Sequence, residues 1–248
     1  MSGHSKWATI KRKKGATDAK RGKVYTKLIK EITMAARLGG GDPGGNPRLR
    51  RAIDAAKAEN MPADNVERAI KRGTGDLEGV NYEDITYEGI GPAGTLLLVD
   101  ATTDNRNRTS AEMRKVFDIH GGQMGAAGSA AWAFDEKGIL LVAKDQADEE
   151  RIYEVAAGAG AEDVEAGDEQ WVITTERSDL DIVSKALGEA NIEVASAELA
   201  KLPKNKKTVS GHDAEVLMNL VEALENHDDV SKVFGDFDLD DDALENLG

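Results

Sequence analysis

Basic side chains are concentrated at the start of the chain, where their chemistry suits the binding of phosphate. The first 75 residues hold eighteen Lys and Arg against seven Asp and Glu, a net charge of +11, whereas the remaining residues carry −25. Clustered cations neutralise phosphates and release counterions from nucleic acid, which makes the affinity depend on salt. Such asymmetry indicates contact with a nucleic acid or a membrane surface at the basic end. A merely solvated charged face is the weaker interpretation, because these cations do not alternate with acids.

The predicted contacts lie in an N-terminal arm and in the helices that follow it. Trp7 lies among the cations of the arm, where an indole can stack on an unpaired base or instead pin the arm onto the helical domain. We favour pinning for Trp7 and nucleic acid for the cations. The predicted nucleic-acid-binding residues are Lys6, Trp7, Lys11, Arg12, Lys13, Lys14, Lys20, Arg21, Lys23, Lys27, Lys30, Arg48, Arg51, Arg68, Lys71 and Arg72.

A second polar stretch, residues 102–109, offers a further candidate contact. Asn105, Arg106 and Arg108 suit a phosphate or a base edge, but the same residue types also suit helix capping and turns. The sequence alone does not decide between these two roles.

The residue types needed for most enzyme chemistry are missing or scattered. The chain has no Cys, and its four His residues show no metal-ligand spacing. The glycine-rich runs at 39–45 and 121–129 lack the endings of a P-loop or a dinucleotide fingerprint. We therefore expect no catalytic residue, no metal and no cofactor. A less favoured alternative is a small-molecule site in a cleft between domains, with Tyr87, Asp100, Asp104 and Arg106 as its candidates.

Three predicted helices position the basic residues. The first, Lys23–Leu38, has an apolar stripe that includes Leu28 and Ile32, with the lysines along the opposite side. This pattern predicts one packed face and one cationic ribbon that faces solvent. Asn46 is predicted to cap the second helix, with Pro47 at its first position, and the third helix is expected to run from Pro62 to Gly73.

After residue 75 the pattern changes to strands alternating with helices, including a predicted strand at Ala130–Phe134. One later segment follows the βαββαβ order of a ferredoxin-like domain. The segment before it has the order ββαβ, which lacks one helix and one strand, and the chain after it supplies a helix and a strand without partners of their own. We therefore predict an α+β protein, with an N-terminal three-helix domain and two ferredoxin-like domains, the last inserted into the middle one. The predicted boundaries are 1–75 for the basic helical domain, 82–136 plus 208–236 for the middle domain, 137–204 for the inserted domain and 237–248 for an acidic tail.

The apolar runs are too short to span a bilayer, which takes about 20 residues. The N-terminus lacks the apolar core of a secretory signal. Its Arg-rich, acid-poor composition is similar to that of a mitochondrial transit peptide, but it leads directly into predicted folded helices. We therefore expect a cytoplasmic protein that does not bind membranes, and the sequence leaves its oligomeric state open.

Several stretches resemble the YebC/PmpR family, which includes the mitochondrial translational activator of cytochrome c oxidase. The resemblance covers almost the whole chain and is weakest over Asp145–Lys207. The matching stretches are Gly3–Lys14 (GHSKWATIKRKK), Asn46–Arg50 (NPRLR), Asn60–Asn65 (NMPADN), Tyr87–Pro92 (YEGIGP), Thr103–Thr109 (TDNRNRT), Gly128–Trp132 (GSAAW) and Asp228–Val230 (DDV).

The resemblance implies three domains, a role in regulating gene expression and no catalytic residues. Members of the family have been assigned as DNA-binding transcriptional regulators. Others are assigned as ribosome-associated factors that assist translation, notably through proline-rich stretches. The family's opening motif corresponds to the cations between Lys6 and Lys14 here. We therefore expect DNA as the partner, with ribosomal RNA or the ribosome as the alternative.

Overall fold

The computed structural model describes residues 18–167, 169–240 and 243. Residues 135–202 form one compact unit, and the described residues before and after them form a second. The second unit contains the helical domain and the middle α+β domain. An α+β protein with an N-terminal helical region followed by sheet domains was predicted, and the structure confirms it.

The helical domain consists of α1 (Asp18–Gly39), α2 (Pro47–Ala58) and α3 (Ala63–Thr74). Their apolar stripes meet in a small core of their own that includes Ile32, Leu49 and Ala69. Alanines supply much of this core, which lets the three helix backbones approach one another closely.

Two polar or small residues fix how these helices meet. The side chain of buried Asn46 accepts from the Leu49 amide at 3.1 Å, as a capping residue does, and also donates to the Ala35 carbonyl at 2.7 Å. The predicted end of α3 at Gly73 is wrong, since the helix runs on to Thr74 and Gly75 follows with a positive φ of 89°. Gly73 is instead a point of close approach, because a Cβ there would lie 2.4 Å from the Thr33 carbonyl oxygen.

The middle domain is built around a four-stranded sheet. Its strands are β1 (Glu83–Ile90), β2 (Leu96–Thr103), β3 (Gln123–Met124) and the later Val230–Gly235 strand, in the spatial order β3, β1, β2 and then the late strand. All three pairings are antiparallel. Helix α4 (Arg106–Ile119) and a later helix (Gly211–Glu225) pack on this sheet through a core that includes Leu97, Val99, Met113, Phe117, Leu217 and Leu224.

The segment before residue 135 is not the predicted strand Ala130–Phe134. It forms a 3₁₀ turn, Ala131–Ala133, and β4 then runs over Phe134–Ala143. The reason is Glu88, a buried carboxylate that accepts hydrogen bonds from the amides of Gly128, Ala130 and Ala131 at 2.6–2.8 Å. Those amides are therefore bonded to a side chain rather than to a neighbouring strand.

The unit at 135–202 has the predicted βαββαβ order. After β4 come α5 (Glu149–Gly158), β5 (Ala161–Ala166), β6 (Gln170–Glu176), α6 (Leu180–Glu189) and β7 (Val194–Pro203). The sheet order is β5, β6, β4, β7. This is the ferredoxin-like arrangement, in which the first and third strands are central. Its core includes Leu140, Ile152, Ile173 and Leu187.

The chain returns to the middle domain through β8 (Lys207–Val209), α7 (Gly211–Glu225), β9 (Val230–Gly235) and β10 (Phe237–Leu239). The prediction of an acidic tail from residue 237 is wrong for its first part. Strand β10 pairs in parallel with β8, and Phe237 and Leu239 are buried in the middle core. Alternating apolar residues make this a strand despite the acids between them. Residues 241, 242 and 244–248 lie outside the described part.

Candidate nucleic-acid interface

The predicted arm lies beyond what the structure describes. Lys6, Trp7 and the cations of 11–14 fall outside the described residues, so their predicted contacts remain predictions. Lys20 and Arg21 belong to the first turn of α1, but their side chains are also outside the described part.

A solvent-facing ribbon of α1 lysines was predicted, but the lysines whose side chains the structure describes contact the middle domain, and of these Lys23 remains half exposed. Lys27 donates to the Glu225 carbonyl at 2.5 Å, and Lys23 donates to the Asn226 carbonyl at 3.0 Å. Both acceptors lie at the C-terminal end of α7, where the last carbonyls lack partners within the helix and the helix dipole has its negative end. Lysines spaced four residues apart therefore serve to dock the helical domain onto the middle domain.

Lys30 completes this docking row, which we call the lysine latch (Lys23, Lys27 and Lys30). Its ammonium lies 2.6 Å from Oδ1 of Asp229 and also donates to the Asp228 carbonyl at 3.0 Å. The side chains of Lys30 and Asp229 are only 11% and 5% exposed. A phosphate can reach Lys30 only if the helical domain moves away from this position.

Asp229 is the centre of a charged hydrogen-bond network. Its Oδ2 accepts from Arg108 and from the Thr109 hydroxyl, each at 2.7 Å. Burial alone would raise the pKa of Asp229, but hydrogen bonds from Lys30, Arg108 and Thr109 outweigh it and hold the pKa well below its usual range. Asp229 is therefore ionised at neutral pH, and it joins α1 to α4.

His227 and Glu112 lie beside this network. The Asp229 amide donates to Nδ1 of His227 at 3.1 Å, and Nε2 of His227 lies 3.0 Å from Glu112. One oxygen each from Glu112 and Asp229 and a ring nitrogen of His227 lie within 4.8 Å of one another, close enough to share a metal ion. However, both oxygens of Asp229 already accept from cationic or hydroxyl donors. This geometry favours an ion-pair network over a set of metal ligands.

Arg48 is also engaged within the protein. Its guanidinium donates to both carboxylate oxygens of Glu31 at 2.7 and 2.8 Å, and it lies 2.8 Å from Asp84. The hydrogen bond to Glu31, although opposed by desolvation, raises the pKa of Arg48 further above its usual value. Arg48 therefore links α1, α2 and β1, rather than standing free for a phosphate.

Three predicted cations do line an exposed surface. Arg68, Lys71 and Arg72 are exposed on α3 at helical spacings of three and four, which place them on one face. Lys71 pairs with Glu67 at 2.6 Å, but both side chains are about half exposed or more, so this pair is easily exchanged for phosphate. We call these three residues the α3 basic face. Arg51, in α2, is half-buried.

Of the second candidate contact (Asn105, Arg106 and Arg108), two residues are used within the protein. Asn105 caps α4, since its side chain accepts from the Arg108 amide at 3.1 Å, and Arg108 reaches the Asp229 network. Arg106 is exposed.

The structure does not bring all four candidates of the alternative small-molecule site together, although the Tyr87 hydroxyl lies 3.5 Å from the Arg106 carbonyl oxygen. Tyr87 is buried in the core on one face of the sheet, whereas Asp100 lies on the opposite face and accepts from Thr86 at 2.6 Å. Asp104 pairs with Arg108 at 2.9 Å.

Comparisons with known proteins agree with this architecture. Residues 5–76 match the model of the TACO1/YebC protein N-terminal domain, and residues 82–237 match that of the TACO1/YebC second and third domain. The chain belongs to the TACO1/YebC family. The resemblance to YebC/PmpR proteins inferred from the motifs is thereby confirmed.

Relatives of this TACO1/YebC chain match over nearly their full length. A protein of Desulfatibacillum aliphaticivorans is 54% identical, covering 98% of this chain and 99% of the relative. One of Geobacter sulfurreducens is 53% identical, covering all of both. Both are named probable transcriptional regulatory proteins. The crystal structure of a conserved hypothetical protein from Aquifex aeolicus superposes with a TM-score of 0.84 at 43% identity, covering 90% of this chain and 93% of that one.

Two buried acids that organise this TACO1/YebC fold, Asp229 and Glu88, were not among the predicted site residues. Both lie within stretches that match the family, DDV and YEGIGP, but their roles were not predicted, because an acid in an acidic chain cannot be told from a solvated one by its sequence. Only their burial and their partners reveal what they do. Across the described residues, no helix is both long and apolar enough to cross a membrane.

Proposed function

We propose that this protein is a non-enzymatic, DNA-binding regulator of transcription that holds its nucleic acid with the basic helical domain. The observation that carries the proposal is the concentration of charge, +11 over the first 75 residues in a chain of net charge −14. The α3 basic face supplies an exposed part of this charge on a rigid helix. The names of the relatives support transcription as the process.

The affinity is expected to come mainly from the phosphate backbone. Lysine and arginine contacts to phosphate position a protein on a duplex but carry no sequence information. The strongly acidic remainder of the chain is repelled by phosphate, which leaves the basic domain as the favourable point of contact. The latch lysines contribute to the fold in the described position, so the arm and the α3 basic face are the first candidates for contact.

A pair of charge-matched variants tests this proposal. R68A/K71A/R72A removes the α3 basic face, and R151A/R177A/K185A removes the same charge from exposed positions of the 135–202 unit. Binding to a labelled DNA duplex is measured at low salt by fluorescence anisotropy. We expect the α3 variant to bind at least about tenfold more weakly, while the control stays within about twofold. Equal losses would indicate a non-specific effect of net charge and would contradict the proposal.

Ribosomal RNA is the second candidate partner, because a backbone-directed basic surface fits either polymer. Two measurements distinguish DNA from ribosomal RNA as the partner: binding to purified DNA duplexes of different sequence, and sedimentation of the protein from a cell extract. A transcriptional regulator prefers particular duplex sequences and stays out of the ribosomal fractions of a sucrose gradient. A ribosome-associated factor sediments with ribosomes and is indifferent to promoter sequence.

A further inference from the structure

Trp132 is an exposed indole held in a fixed orientation. It is 67% exposed, whereas Trp171 is 7% exposed. Its Nε1 donates to the Ser129 carbonyl at 3.0 Å, which uses the polar edge of the ring within the protein. The large aromatic surface that faces solvent is therefore apolar and without a hydrogen-bonding group of its own.

The loop beneath this indole is organised by buried groups. We call the segment Gly125–Ala133 the Trp132 loop. Glu88 accepts from three of its backbone amides, and the Gly125 amide donates to the Glu88 carbonyl at 2.8 Å. From the other side, the Lys204 amide donates to the Ala133 carbonyl at 2.8 Å. A rigid aromatic group loses little conformational entropy on binding, so this arrangement is suited to recognition.

A lysine side chain lies beside Trp132. The ammonium of Lys204 donates to the Trp132 carbonyl oxygen at 3.0 Å, so a positive charge lies beside the ring's own backbone. Lys204 begins the exposed run Lys204–Lys207, in which three of four residues are lysines. An aromatic face next to cations is the combination that binds single-stranded nucleic acid, through stacking of a base and neutralisation of its phosphates.

We propose that Trp132, with Lys204 beside it, is a stacking site for an unpaired base of a single-stranded nucleic acid. This inference rests on the proposed nucleic-acid function and deepens it, since it adds a single-strand contact on the middle domain to the duplex contact of the basic helices. An indole lying flat against a base accepts any of the four bases, so the site contributes affinity for single strands rather than sequence preference. A paired base is already stacked on its neighbours, so a duplex gains little from the site.

The test compares a single-stranded 20-mer of dT with a mixed-sequence duplex of the same length, using the full chain. We expect W132A to weaken binding of the single strand by about fivefold or more and to leave duplex binding within about twofold. W132F keeps an aromatic face and should retain most of the affinity. The control is Y153A, because Tyr153 is a similarly exposed aromatic side chain but lies among Glu149, Glu150 and Glu154; it should change neither affinity.

Fluorescence gives an independent readout. In a W7F background the emission comes from Trp132 and buried Trp171, so a stacked base should quench the exposed component when the single strand is added. Unchanged emission together with unchanged affinity of W132A would overturn the inference. A wild-type chain that binds neither nucleic acid would instead defeat the proposed function as well. Loss of self-association in W132A, seen as a smaller mass by light scattering without a change in single-strand affinity, would assign Trp132 to a protein interface and would also overturn it.

Discussion

The ammonium of Lys30 and the carboxylate of Asp229 form a buried ion pair 2.6 Å long between residues 199 positions apart in the chain. This pair joins the first described helix to the segment between α7 and β9 and, through Arg108, to α4. The basic helical domain is thus held to the middle domain by part of the charge that the sequence would assign to nucleic acid.

Asp229→Asn should strongly destabilise the protein. It leaves buried Lys30 without its carboxylate and removes one of the carboxylates that Arg108 contacts, and removing one partner of a buried pair costs about 3–5 kcal/mol. Asp228→Asn is the control, because Asp228 is 71% exposed and lies 3.9 Å from Lys23; its effect should be within about 0.5 kcal/mol. Urea unfolding measures both variants, and similar losses would show that Asp229 is not the anchor of the latch.

The ionised carboxylate of Asp229 predicts how the free energy of unfolding changes with pH. Its pKa is held below the ordinary value of about 3.9, chiefly by hydrogen bonds that overcome its burial. Below about pH 4 the unfolded chain therefore binds a proton at this position that the folded chain does not, and stability falls as the pH falls. Unfolding free energies between pH 3 and pH 6 should decline less steeply toward acid in D229N than in the wild type. Parallel curves would contradict the assignment.

Glu88→Ala should loosen the Trp132 loop. The change leaves the buried amide of Ala130 and the partly buried amides of Gly128 and Ala131 without their acceptor, and an unsatisfied buried group costs about 1–3 kcal/mol. We expect a loss of at least about 2 kcal/mol of unfolding free energy and faster hydrogen exchange at the amides of Ala130 and Ala131. Glu83→Ala, an exposed change on the same strand, should alter neither. Unchanged exchange in E88A would rule out Glu88 as the support of the loop.

Gly73→Ala tests how closely α1 and α3 pack. A Cβ at Gly73 would lie 2.4 Å from the Thr33 carbonyl oxygen and 2.7 Å from the Ala36 Cβ, so the helices must separate and the protein should lose stability. The matched change is Gly188→Ala in α6, where a Cβ has no neighbour within 4 Å. That variant should gain about 0.5–1 kcal/mol, since alanine is the better helix former. Thermal unfolding distinguishes the two, and a stabilised G73A would contradict the packing.

Local chemistry was predictable where a residue acts on its near neighbours. Asn46 before Pro47 predicts a helix cap, and the cap is present because its partner, the Leu49 amide, is three residues away. The order of elements after residue 137 likewise predicted the ferredoxin-like sheet. These features depend on short stretches of chain, which a single sequence displays directly.

The orientation of the α1 lysines was not predictable in the same way. A row of lysines opposite an apolar stripe normally faces water, and the carbonyls that receive Lys23 and Lys27 lie about two hundred residues later. The strand at Phe237–Leu239 was missed for a related reason, since its acids suggested a solvated tail while its pairing partner is β8. Contacts between residues far apart in the sequence depend on tertiary packing and cannot be recognised from the composition of a short stretch.

Binding of the phosphate backbone by the basic N-terminal segment should be visible in the salt dependence of DNA binding. The slope of log affinity against log salt is measured for the wild type and for K11A/R12A/K13A/K14A. We expect weaker binding and a slope smaller by about 0.9 for each phosphate that the variant no longer neutralises. An unchanged affinity with an unchanged slope would show that these cations do not bind the nucleic acid.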